Sequence, residues 1–174
     1  MRIILLFMSS FIWSQDLSDL LLKNQKFTTD IIIIDSDSIV SKGSMSYVDG
    51  DFVYLTKHPS KQVLAGLKDK LFIQDDDFKQ VMIYDDDDSF LIKKLLLNKY
   101  DYVELSCKSK CYKLDINDER ISEAIIIFKN DLLYEMHIMD FQNNKFLINF
   151  ENFLHESSNI TYVPPDGYEI ITND

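Results

Sequence analysis

Three sets of side chains have the types and spacing for chemistry. The first is acidic: Asp75-Asp76-Asp77 and Asp85-Asp86-Asp87-Asp88. Clustered carboxylates suit calcium, but neither run has the Gly and the distant Glu of an EF-hand loop. They read as solvated turn charges that keep sheet edges from pairing. The second set is His58, His137 and His155, scattered without ligand spacing. The third is Cys107 and Cys111, flanking a three-residue turn. In an oxidising compartment such a pair can close a small hairpin. The alternatives are two free thiols or half of a metal site. Two further ligands at suitable spacing are absent, and CxxxC is not the redox CxxC motif. A local disulfide is therefore expected, with no metal, no cofactor and no catalytic residues. Asn159-Ile160-Thr161 fits a glycosylation acceptor. No nucleophile, base and acid can be argued from order alone, because triads are defined by geometry. An enzyme is not expected.

The chain has 174 residues, enough for one domain with a sizeable core, and 46% of them are hydrophobic. Its net charge of -11 argues against nucleic acid and against anionic membranes. Arg2 followed by the mostly apolar Ile3–Trp13 has the make-up of an export leader, too short to span a bilayer. Ser14 suits the place before cleavage, although Ile12 is larger than usual. Polar Gln15 and Asp16 follow. A signal peptide over 1–14 and a single domain over 15–174 are expected; the alternative is a buried N-terminal strand or helix. No Cys near the cleavage point predicts a lipid anchor.

The elements follow from periodicity. Leu17, Leu20 and Leu21 give a helix over residues 16–26 an apolar stripe, with Asp16 or Ser18 as its cap. The isoleucines within Thr28–Asp35 predict a strand buried on both faces or packed under a helix. From Gly43 to Tyr84, short apolar runs alternate with turns at Asp49-Gly50, His58-Pro59, Lys68-Asp69 and Asp75–Asp77. That is a meander of antiparallel strands. A second helix, Phe90–Leu97, is apolar around much of its circumference, with Asp88 or Ser89 as its cap, and suits a lid or plug. Strands resume at Tyr102–Cys107, Tyr112–Ile116, Glu123–Lys129, Leu132–Met139 and Lys145–Phe150. Asn152–Ser158 reads as a loop or helical turn. Tyr162–Ile170, with its paired prolines, is extended.

The meander has the lining of a hydrophobic cavity. Met45, Tyr47, Phe52, Tyr54, Leu71, Phe72 and Met82 are its wall candidates, with ordinary core as the alternative for each. Met136 and Met139 are further candidates for adaptable contacts. Phe90, Leu91, Leu95 and Leu96 are the lid candidates. A lid whose leucines fill the empty cavity lowers net affinity, because a ligand must displace them.

In order along the chain, several residues carry a family resemblance. The run Leu20-Leu21-Leu22-Lys23-Asn24-Gln25-Lys26-Phe27-Thr28-Thr29-Asp30-Ile31 resembles the helix-to-strand entry of the LolA family, periplasmic carriers of outer-membrane lipoproteins. Phe52, Tyr54 and Pro59 are similar to the family's Phe, Trp and Pro. Leu71, Phe72 and Gln80 continue it, and Pro164-Pro165-Asp166-Gly167 is similar to its closing Pro-Pro-x-Gly. The resemblance implies an incomplete antiparallel β-barrel covered by short helices. It implies a periplasmic monomer whose apolar interior takes lipoprotein acyl chains. These would come from an inner-membrane lipoprotein-releasing ABC transporter and pass to an outer-membrane receptor. The family's Arg-Pro before its Phe is here Val48-Asp49, its second basic residue is Val53, and its Asp-Gly-Lys turn is Leu67-Lys68-Asp69. The family's lid latch is therefore not carried over. Two other functions fit the same residues: a half-barrel that senses lipid or lipoprotein without ferrying it and, more distantly, an enzyme on a lipid-like substrate.

Overall fold

A computed structural model describes residues 16–36, 38–85, 90–155 and 159–173. The leader expected over 1–14 lies outside the described residues. Among the described residues, two short helices, α1 (Leu17–Lys23) and α2 (Leu91–Leu97), accompany twelve strands. The strands are β1 (Lys26–Asp35), β2 (Ser38–Val48), β3 (Asp51–His58), β4 (Gln62–Leu67), β5 (Lys70–Asp75) and β6 (Gln80–Tyr84). They continue with β7 (Tyr102–Leu105), β8 (Lys110–Leu114), β9 (Ile121–Lys129), β10 (Leu132–Asp140), β11 (Lys145–Leu154) and β12 (Glu169–Asn173).

All twelve form one sheet, in the order β12-β6-β5-β4-β3-β2-β1-β11-β10-β9-β8-β7. The ends, β12 and β7, do not meet, so the fold is the expected incomplete barrel covered by helices. One pairing departs from antiparallel: β12 runs parallel to β6. The chain reaches that edge by a long return after β11, so it arrives running the same way as β6.

Turn chemistry sets the meander. Asp49 and Gly50 have φ of 49° and 103°, and Lys68 and Asp69 have 49° and 66°. Two successive left-handed residues match the right-handed twist of the strands they join. Alternation then assigns the faces. On β1, Phe27, Thr29 and Ile31 are buried while Ile32 and Ile34 are half-buried. The isoleucine strand thus packs under helix on one face instead of being buried on both. Leu17, Leu20 and Leu21 of α1 and Ile92, Leu95 and Leu96 of α2 cover that inner face.

The ends of three elements refine the reading. The N-cap position of α2 is Phe90, which makes no side-chain capping bond; Asp88 and Ser89, the expected caps, lie outside the described residues. Asp16 caps α1 by position only, because its carboxylate accepts a hydrogen bond from the Tyr102 hydroxyl. The expected loop at Asn152 is the end of β11, with φ of 51° at Asn152 absorbing the irregularity.

Candidate apolar cavity and its lid

Register places the wall candidates. One inner-face row runs Phe27, Tyr47, Phe52, Gly66, Leu71, Tyr84 across β1 to β6. The next runs Thr29, Met45, Tyr54, Leu64, Ile73, Met82, Ile171. Six of the seven candidates, Met45, Tyr47, Phe52, Tyr54, Leu71 and Met82, therefore share the face that the helices cover. Phe72 does not. It pairs with Ala65 and Ile83 on the outer face, and its ring lies 5.3 Å from Tyr162. Leu71 and Phe72 are adjacent on one strand, so a period of two must put them on opposite faces.

Leu64, Ile73 and Tyr84 belong to the same wall, half-buried beside the core. They escaped the sequence reading, although the Lys68-Asp69 turn fixes the β4–β5 register that reveals them. Met136 is on the inner face, paired with Ile126 and Ile148, whereas Met139 is on the outer face.

Helix α2 and the residue before it pack on this wall. Phe90 stacks on Phe52 with centroids 3.9 Å apart, while Leu95 and Leu96 are buried and Leu91 is half-buried. Ile92 joins them in the core and was not among the lid candidates. Gly66 makes room for Phe52: a Cβ there would lie 2.2 Å from the Phe52 ring. A groove of 380 Å³ runs between the helices, lined by Leu17, Leu21, Leu96, Leu97 and Tyr100.

Polar contacts tie α2 to its surroundings. Gln25 Nε2 donates to Leu96 O at 3.0 Å and to Leu21 O at 3.1 Å, tying α2 to α1. Tyr100 Oη donates to Lys94 O at 3.1 Å. Lys94 Nζ pairs with Asp118 at 2.7 Å, and Arg120 meets the same carboxylate at 3.2 Å. Hydrogen bonds from Arg120 and Lys94 hold the Asp118 carboxyl well below the usual carboxylate range. Charge-assisted bonds of this kind are roughly twice as strong as neutral ones.

The other chemical candidates lie apart. Cys107 and Cys111 form a disulfide in the β7–β8 hairpin at the sheet edge. Asp75 accepts from the backbone N–H groups of Asp77 and Phe78, which shapes the β5–β6 turn. His137 contacts Glu135 at 2.9 Å, and His155 lies against Phe153. An open groove of 520 Å³ is lined from both faces of the sheet, by Ile34, Ile125 and Leu147 and by Ile138 and Phe146, and another of 570 Å³ lies on the outer face at Phe72, Tyr162 and Val163. The aromatic wall and its helical cover are both on the inner face.

No protein-family model matches the chain, and no curated protein does. Solved structures do. An uncharacterized conserved protein from Thermus thermophilus superimposes with a TM-score of 0.61 at 9% identity, over 91% of this chain and 100% of that one. At that identity the likeness is one of fold. A MucB chain in complex with MucA(peri) gives a TM-score of 0.49 at 11% identity over 83% of this chain. The MucA/MucB complex of Pseudomonas aeruginosa gives 0.48 at 12% over 82%. The chain spans 57% and 58% of those two chains.

Proposed function

We propose that the chain is a periplasmic chaperone for lipoproteins. It would bind their acyl chains on release from an inner-membrane ABC transporter and deliver them to an outer-membrane receptor. The observation that carries this reading is the plug: Leu95 and Leu96 of a seven-residue helix are buried against an aromatic wall. Burying a methylene is worth about 0.8 kcal/mol, so a dozen of them amount to roughly 10 kcal/mol. That is enough to make unassisted passage through water negligible. Release at the destination requires that part of this energy be withheld. A helix whose leucines return to the wall does so, because its own burial competes with the cargo's. The work is binding and release, and no bond is broken.

The test is release of a lipidated protein from inner-membrane vesicles carrying the transporter. The carrier reading expects the lipoprotein to appear in the soluble fraction, bound to this chain in equal amounts. Depletion in cells should leave lipoproteins stalled at the inner membrane. Normal sorting in depleted cells, with acyl binding intact in vitro, would replace the carrier with a sensor that binds without ferrying.

A further inference from the structure

Among the described residues, the hydroxyl of Tyr47 is a buried side-chain oxygen with no protein hydrogen-bond partner. Tyr47 is 0% exposed. Its ring stacks on Phe27 at 5.1 Å and sits beside Phe52 in the inner-face row that the helices cover. A buried hydroxyl without a partner is costly, and most buried polar groups are satisfied. Phenylalanine would fill the same place without that cost. Burial, together with the nearby Asp49 carboxylate, pushes the hydroxyl's pKa far up. The group therefore keeps its proton and is a donor. Tyr54, the other tyrosine well inside the wall, is different: its hydroxyl lies 2.8 Å from Ser41 Oγ. Tyr47 alone of the two holds a donor in reserve.

We propose that the Tyr47 hydroxyl recognises the carbonyl oxygen where an acyl chain is joined by an ester or amide, once that chain has displaced α2. This rests on the acyl-binding reading above and adds a polar determinant to it. A cavity made only of methylenes and rings grips any hydrocarbon. One oriented O–H inside it favours ligands that bring a neutral acceptor into the apolar space. Ester- and amide-linked chains do so through a carbonyl oxygen that projects from the chain, whereas an alkyl ether has only an in-chain oxygen hemmed by methylenes and no projecting acceptor at that place.

The experiment compares a diacylglycerol with the dialkylglycerol ether of equal chain length. Each displaces an environment-sensitive naphthalene fluorophore from the full chain. One net hydrogen bond predicts that wild type prefers the ester about three- to tenfold. Tyr47→Phe should bind the two equally, having lost the ester preference, with a thermal midpoint no lower than wild type. Equal binding of ester and ether by wild type overturns the role of Tyr47 and leaves acyl binding standing. An ester preference that survives in Tyr47→Phe overturns it too. So does a clear fall in the variant's midpoint, which would reveal that the hydroxyl is already satisfied without ligand. Failure of wild type to bind either compound overturns both readings together.

Discussion

Phe52 and Phe90 lie ring on ring, with centroids 3.9 Å apart and planes inclined by 18°. One belongs to the wall and the other leads into the lid helix. Behind Phe52, the bare backbone of Gly66 lets the ring lie flat on β4. The wall ring is thus held between a neighbouring strand and the lid.

If the stack helps close the lid, removing it should favour cargo. Phe90 is half-buried, so Phe90→Ala leaves a folded chain. Aromatic pairs add about 1 kcal/mol beyond burial, a shift of roughly fivefold in the lid equilibrium. An acyl fluorophore should therefore bind the variant several-fold tighter than wild type. Unchanged binding would mean that the stack does not gate the wall. Glutamate at Phe52 or Leu95 is a poorer probe, because both side chains are completely buried and a charge there threatens folding itself.

Gly66→Ala should destabilise without any loss of chemistry. The new methyl would meet ring atoms at 2.2, 2.7 and 2.8 Å, so the Phe52 ring must tilt. Overpacking of this kind costs about 1–3 kcal/mol. A lower urea midpoint with an unchanged slope is the expected result. Phe52→Leu should then be less harmful in the Gly66→Ala background than alone. Additive effects would show that the two positions do not compete for the same space.

The sequence carried the meander because its turns are chemically explicit: Asp49-Gly50 forces left-handed backbone, and alternation does the rest. It also marked α2 as a buried helix, because its leucines exceed what one helical stripe needs. What stayed hidden depends on register. Phe72 follows Leu71, and only strand pairing says which of the two faces inward. Leu64 and Ile73 become wall residues only once Tyr54 is known to sit opposite Leu64. The lid's polar ties were hidden for another reason. Gln25 is 71 positions from Leu96 and Lys94 is 24 from Asp118, and no local pattern announces contacts at such separation.

The outer face of the meander is held by the return segment. Tyr162 Oη donates to Gln74 Oε1 at 2.8 Å, and Gln74 is buried although polar. Tyr162→Phe keeps the packing on Phe72 but removes the donor. The expected cost is about 1 kcal/mol, read as a fall in thermal midpoint. Hydrogen exchange should rise in β12 and the segment before it, with the inner face unaffected. Faster exchange in α2 instead would show that strap and lid are coupled across the sheet.

Asp118 offers the sharpest test of the lid's polar closure. Its side chain is 4% exposed, and it receives Lys94 from the lid and Arg120 from its own loop. The folded chain binds a proton at this carboxyl more weakly than the unfolded chain, whose value is near 3.8. A depressed folded pKa means that the pairing stabilises fully at neutral pH. That contribution is lost as pH falls below about 3.8 towards the folded value. Asp118→Asn keeps the shape and removes the charge, and should cost about 1–3 kcal/mol at pH 7. The gap between wild type and variant should stay constant down to about pH 5 and shrink below pH 4. A spin label on the exposed Leu97 should report a more mobile lid in the variant at neutral pH. A gap that persists undiminished at pH 3, or an equally still label, would remove Asp118 from the latch.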